Sequence, residues 1–452
     1  MWTMIPTMHV LVQDLALVFT LPSLQTQMQV MMGWLMCLGP RTEYRVFETA
    51  QADQEVSRAE RHPFDRGYNF FSRSAWNVKD LAHRLALAIM VRLQPTGILN
   101  LIVDDTLLHK RGLRVYGLGW FRDAVASTKK RVATASGNNW VVVGLAVRVP
   151  YCPNYVLCLS LLARLHLPGK DQPSCVALAK EMLAEVAAWF PGRDIILCGD
   201  GAYAAGGLLL DLPARVNYVG RMRSDAAVYD TTPRPRTSKH GKAPEKGHKL
   251  PTPKQAAKRA DENTSGQGPW LWQDIEVMAY GVKRTLQALS YAVLWPSVRG
   301  SKPIRIVVVR DPEGTMADAY LFTTNVDASL VAVVETFAKR WSIEVLFRAS
   351  KQVMDIEAPH HWCQESITKL APWVWSMQSL LQLWYLTAGR ASPEAAQELA
   401  LMGPWGSECS LRHMLRVFRR CTLNATFAAK SSNSTTSAQL LENLKNYVLI
   451  SS

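Results

Sequence analysis

Apolar positions recur at helical spacing through residues 10–38 and again through 81–93. Between them runs a polar, charged stretch, 41–73, that closes on the aromatic cluster Tyr68-Asn69-Phe70-Phe71. Pro95 and Gly97 end the helical pattern. From residue 98 the period changes. Residues 98–105 are a short apolar run ending in acids, while 112–121, 139–149 and 155–162 are rich in β-branched and aromatic side chains. The spacing then predicts a helix over 174–190 stopped by Pro191-Gly192, a buried strand over 194–200, a helix over 202–210 and a strand over 214–223. Strands followed by helix, strand, helix and strand are the order of an α/β layer around one sheet.

At about residue 224 this order is interrupted. Between residues 231 and 260 there are nine Lys/Arg and one acid, Glu245, spaced by prolines and glycines. Such a stretch reads as a solvated loop whose sign suits phosphate. Strand patterns resume at 271–279, 285–295, 304–310 and 319–324, and a helical pattern over 337–351 follows. Residues 362–452 read as helical again, with an aromatic patch at Trp373, Trp375, Trp384 and Tyr385. The organisation expected is a helical region (1–95), the first part of an α/β core (96–223), a basic loop with a β-strand insertion (224–325), a helix completing the core (326–360) and a helical C-terminal region (361–452).

The 452 residues favour two or three domains, and 48% apolar content supports a substantial core. Charge narrows the partners. Lys and Arg number 51 against 37 acids, a net +14 that points to a polyanion, nucleic acid first. Eight scattered cysteines include no CxxC pair, so the expected compartment is reducing and cytoplasmic. Gln13 and Asp14 interrupt the apolar N-terminus, and no secretory leader is expected. The hydrophobic run 140–167 is broken by Arg148, Pro150, Pro153 and Arg164, so no membrane span is expected and the protein reads as soluble.

Three acidic positions carry the candidate chemistry. Asp104 and Asp105 close the strand over 99–103, Asp200 closes the strand over 194–199, and Glu344 lies in the helical stretch 337–351. At about 100° per residue, Arg340, Glu344 and Lys351 project within about 40° of one another, with Phe337 close beside them. Carboxylates from two strand ends and a packed helix make a hard-oxygen site for Mg²⁺ or Mn²⁺. Two such ions, about 3.5–4 Å apart, suit phosphodiester cleavage, with the flanking Arg and Lys on phosphate oxygens. Strand alternation lets only one of Asp104 and Asp105 face the site. Lys110 and His109 are candidate DNA contacts near it, and Lys129, Lys130 and Arg131 form a basic cluster in a strand-to-strand loop that could contact backbone phosphates. His360 and His361 are adjacent, alternate faces and do not read as a metal pair.

These residues resemble the DDE transposases of bacterial insertion sequences, specifically those with a ribonuclease-H-like core and the YREK signature: Tyr, two residues, Arg, three residues, Glu, six residues, Lys. Arg340, Glu344 and Lys351 match at that spacing, and Phe337 occupies the Tyr position without its hydroxyl. LIVDDTLLHKRG (101–112) is similar to the family's first-aspartate strand and LCGDGAY (197–203) to its second. The family's Asp-x-Thr form favours Asp104 over Asp105. The resemblance implies a ribonuclease-H-like mixed sheet with flanking helices and a β-rich insertion. It also implies two Mg²⁺ or Mn²⁺ ions on Asp104, Asp200 and Glu344, double-stranded DNA at transposon ends and target, and a homodimer on DNA. Trp295, in the strand-rich insertion, becomes a candidate to stack on a flipped base, residues 1–95 a candidate end-binding region and 361–452 a candidate dimerisation region. A non-catalytic DNA-binding derivative of a transposase and a structure-specific nuclease on the same fold stay open as alternatives.

Overall fold

The computed structural model describes residues 2–50, 65–128, 130–234, 246–264, 266–402 and 406–431. The N-terminal region is helical as its period predicts, in shorter pieces: α1 (Pro6–Asp14), α2 (Leu21–Met36), α3 (Glu43–Ala50), α4 (Asp65–Ser72) and α5 (Val78–Leu93). Pro22 opens α2, and the Asn77 side chain caps α5 by accepting from the Asp80 amide. Helices α3 and α4 fall inside the stretch that reads as polar. Their few apolar residues share one face, so Phe47, Phe70 and Phe71 are buried, and of the charges on the two helices Glu43 alone goes in with them, against His361.

The α/β region follows as β1 (Leu99–His109), β2 (Gly119–Arg122), β3 (Thr134–Val149), β4 (Cys152–His166), α6 (Cys175–Trp189), β5 (Ile195–Gly199), α7 (Gly206–Leu209) and β6 (Val216–Arg221). The strand expected over 112–121 shrinks to β2, because residues 112–118 turn through positive-φ Gly112 and Gly117. Next come α8 (Pro253–Asp261), β7 (Gln273–Ala279), β8 (Val282–Leu294), α9 (Pro296–Arg299), β9 (Pro303–Arg310) and β10 (Ala319–Thr323). Helix α8 corrects the loop expected through residue 260. Thr252 and Gln255 form a reciprocal capping box with Pro253 in the first turn, a start signal that the run of lysines masked. Residues 235–245 of that basic loop lie outside the described residues.

Among the described residues the strands form one mixed sheet of ten, in the order β2-β3-β1-β5-β6-β10-β9-β8-β7, with β4 also on β3. β1, β5 and β6 run parallel, and β3 is antiparallel to β1 and β4. Parallel central strands are covered on both faces, which is why β5 reads as an unbroken apolar run. β10 joins β6 antiparallel, so the later strands continue the same sheet. The described residues end with α10 (Leu330–Lys339), α11 (Trp341–Gln352), α12 (Gln364–Thr387), α13 (Pro393–Ala400) and α14 (Leu411–Ser431), and residues 432–452 of the C-terminal region expected to be helical lie outside them. Helix α12 is the spine of the helical layer, packing on β4, α4, α5 and α14. Its buried tryptophans each find an acceptor: Trp373 donates to Gln27, Trp375 to Ser350 of α11 and Trp384 to Thr7. Among the described residues no helix is long and apolar enough to cross a membrane.

Candidate active site

The adjacent parallel strands β1 and β5 set the first two acids. Their register pairs Ile102 with Cys198, which brings Asp104 opposite Asp200 two residues further on. β5 has ended there, and the Asp200 carboxylate accepts from the Ala202 amide at 2.8 Å, turning the chain as an Asx motif. Alternation along β1 separates the neighbouring aspartates. Asp104 Oδ2 accepts from Arg340 Nη1 at 2.8 Å. Asp105 is held by the Tyr203 hydroxyl at 3.1 Å and the Asn139 amide at 3.2 Å.

The single helix expected over 337–351 is two helices meeting at Arg340. The Ser342 hydroxyl donates to the Lys339 carbonyl at 2.8 Å, and the Arg340 and Ile343 amides bond three residues back instead of four. A side chain competing for a helix carbonyl bends a helix in this way. The joint puts Glu344 in the first turn of α11 and Lys351 in its last, each at the favourable end of the helix dipole. Arg340, at the pivot, spans the gap: Nη1 to Asp104 and Nη2 to Glu344 Oε1 at 2.5 Å.

Burial raises the Asp104 carboxyl to about 7; Arg340 opposes the shift, and Asp200 and Asp105 add to it. Burial works against the charge on Arg340 too, but Asp104 and Glu344 outweigh it and hold the guanidinium above its ordinary value. Asp104, Asp200 and Glu344 offer only carboxylate oxygen, the donor set that suits Mg²⁺ or Mn²⁺, and the negative charge crowding Asp104 is what a divalent cation would relieve. The side chains fit such an ion in kind. They are not gathered around one point: among the described residues no three His, Cys, Asp or Glu side chains are placed to hold a metal. Arg340 lies between two of the three acids, so an ion shared by all of them requires it to release a carboxylate.

The sequence profile described as DDE superfamily endonuclease matches residues 28–276, more than half of the 452. The chain belongs to this family. The matched stretch contains Asp104 and Asp200 and ends before Glu344. Among solved structures, the chain is similar to a piggyBac transposase synaptic complex with hairpin DNA, at 12% identity over 94% of this chain and 76% of that one, with a TM-score of 0.40. No curated protein matches.

The other residues that the sequence singles out in this DDE superfamily endonuclease are spread more widely. Lys351 Nζ donates to the Leu107 carbonyl at 2.5 Å and lies 3.8 Å from Glu357, pinning the end of α11 to β1. Phe337 is buried on α10, with the cations of Arg221 and Arg340 over its ring at 5.7 and 5.8 Å. The Lys110 ammonium is tied to the Glu357 and Pro359 carbonyls, both at 2.8 Å. His109 sits between Asp123 at 2.9 Å and Glu357 at 3.1 Å. Trp295 is buried edge-on against Phe322, 5.2 Å between ring centres, so in this structure it is a core residue with no free face for a base. Lys130 and Arg131 are exposed in the loop between β2 and β3, and Lys129 lies outside the described residues. His361 is buried 2.5 Å from Glu43, while His360 is exposed. Sequence reasoning missed Arg221, exposed at the end of β6 and facing Phe337. A cation closing a strand parallel to the two acid-bearing strands was the available signal.

Proposed function

We propose that this chain is a DNA transposase that cleaves transposon ends and joins them to target DNA, cut-and-paste fashion, on a ribonuclease-H-like core. The observation that carries the reading is the Arg340 bridge, which ties the first acid of β1 to the acid of α11 while Asp200 lies just past the end of β5, the neighbouring strand. The order β4-β3-β1-β5-β6, with β3 alone antiparallel, supports the core assignment, and the +14 charge supports double-stranded DNA as partner.

Asp104, Asp200 and Glu344 would hold two Mg²⁺ or Mn²⁺ ions, which when bound supply an activated water and stabilise the leaving oxygen of the phosphodiester. Arg340, a planar fork already shared between two acids, transfers its donors to the non-bridging oxygens of an entering phosphate. Phe337 supplies no hydroxyl to DNA; it supports the guanidinium from below. Lys351 is the second cation flanking Glu344, and Lys129, Lys130 and Arg131 add positive charge for the backbone. Hydrolysis at the element end and attack by the freed 3′-OH are both in-line displacements at phosphorus, so one set of side chains serves both. In this reading the helical regions 1–95 and 361–452 bind the ends and pair two chains, and the signature marks the protein as of the insertion-sequence type.

The test is cleavage of DNA carrying the element's own flanks with Mg²⁺ or Mn²⁺, nicks mapped to the nucleotide. Asp104→Asn, Asp200→Asn and Glu344→Gln are each expected to lower cleavage at least about a hundredfold with DNA binding kept, and Asp105→Asn to leave it within a few fold. Binding without cleavage by the parent protein would overturn the enzymatic reading.

A further inference from the structure

A cavity of about 640 Å³ opens between the loop after β1, residues 110–115, and the loop after α11, residues 357–362. Its walls are fixed by hydrogen bonds from Lys110 to the Glu357 and Pro359 carbonyls and from the Tyr116 amide to the Trp362 carbonyl at 2.9 Å. His361, buried against Glu43, ties the second loop back to α3. The mouth is unlike the walls. Trp362 is 62% exposed, Leu113 is fully exposed, and Arg111 and Arg114 stand in solvent. Among the described residues neither arginine has an ion-pair or hydrogen-bond partner. An indole face left in water beside two guanidinium groups that meet no counter-charge among the described residues has no role in the packing of those residues.

We propose that this cavity is a subsite for an unpaired nucleotide, its base stacked on Trp362 and its phosphates on Arg111 and Arg114. The volume falls within the range of about 300–1,000 Å³ that small-molecule sites occupy. One exposed aromatic face flanked by cations takes a base whose own face is free, which a base inside a duplex does not offer. The position fits the reading of DNA as substrate, on which this inference rests. Along β1, His109 lies about 17 Å beyond Asp104 at ~3.3 Å per residue, and along α11 Lys351 lies about 10 Å beyond Glu344 at ~1.5 Å per residue. At about 3.4 Å per nucleotide of one strand, the cavity is roughly three to five nucleotides from the carboxylates. A strand cut at the acids and separated from its complement reaches it.

Fluorescence anisotropy with the full chain tests this, using a blunt duplex and the same duplex carrying a five-nucleotide single-stranded extension. The parent is expected to prefer the extended duplex by about tenfold, the size of one base–aromatic stack. Trp362→Ala removes the preference and leaves blunt-duplex affinity unchanged, while Trp362→Phe retains most of it. The double variant Arg111→Ala, Arg114→Ala weakens extended-duplex binding and flattens its salt dependence by about two units of log–log slope. Equal binding of the two duplexes by the parent, or a preference that survives Trp362→Ala, overturns the subsite while leaving DNA as substrate intact. Displacement of the extension by an acidic peptide as effectively as by oligonucleotide overturns it as well. Failure to bind either duplex refutes the DNA reading itself.

Discussion

Replacing Arg340 with methionine keeps an aliphatic stem beside Phe337 and removes the guanidinium that joins β1 to α11. Two charge-assisted hydrogen bonds disappear, 2.8 Å to Asp104 and 2.5 Å to Glu344. Each such bond contributes about 1.5–3 kcal/mol net, and breaking a buried pair so that a bare charge remains costs about 3–5 kcal/mol. Two facts keep the sum toward the lower figures. The three side chains retain 17–32% of their surface in water, and Asp104, its carboxyl already raised to about 7, takes up a proton near neutrality instead of staying a stranded anion. Without divalent cation, the expected loss at pH 7 is about 2–3 kcal/mol, read from urea unfolding followed by tryptophan fluorescence. Mn²⁺ should then stabilise the variant more than the parent, because the carboxylates no longer have to be released by an internal cation. At a free concentration one hundred times Kd the gain is about 2.7 kcal/mol, enough to restore most of the deficit. Titration calorimetry on both proteins supplies the Kd values. Parent-like stability of the variant without metal would show that the bridge contributes nothing, and weaker Mn²⁺ binding by the variant would refute the competition between Arg340 and the ion.

Two further outcomes follow from the packing. Burial lowers the Lys110 ammonium to about 8 against the opposing pull of Glu357 and Asp355; between pH 8 and about 10.5 the unfolded chain binds more protons than the folded one, so this residue's contribution to stability rises with pH across that window and is level below it. The difference in unfolding free energy between parent and Lys110→Met, measured from pH 7 to 10.5, should climb, and a flat difference would exclude the shift. Trp375→Ala removes a fully buried indole and the donor that Ser350 of α11 accepts; the expected cost is about 3–5 kcal/mol by denaturant unfolding, and a cost under about 1 kcal/mol would contradict the part given to α12 in supporting α11.

The acid-bearing strands were legible because their signal is local. An apolar run ending in Asp reads as a buried strand that meets its end at a polar edge, and β5 follows that pattern, whereas β1 runs on past Asp104 and Asp105 to His109 because β3 pairs along its whole second half. Helices α3, α4 and α8 were harder, since each hides a narrow apolar face among charges, and only the Thr252–Gln255 capping box marked α8 directly. The break at Arg340 depends on where one hydroxyl, that of Ser342, finds an acceptor, and no periodicity reveals that choice. Trp295 became a base-stacking candidate only through the family resemblance and Lys110 a DNA contact by its charge, yet contacts with Phe322 in one case and with two carbonyls of a distant loop in the other bind them into the fold.

The sequence by itself determined the kind and order of most elements, the net positive charge and the three carboxylates with their flanking cations, because these depend on side-chain period and composition within short windows. Tertiary structure alone decided which partner each of those charges meets. Register between β1 and β5 set Asp104 beside Asp200, pleat alternation turned Asp105 toward Tyr203, and the bend at Arg340 aimed one guanidinium at acids 236 and 4 residues away in the chain. Contacts of that range are fixed only when strands and helices pack, since a strand slipped by one residue would exchange the faces of the two aspartates.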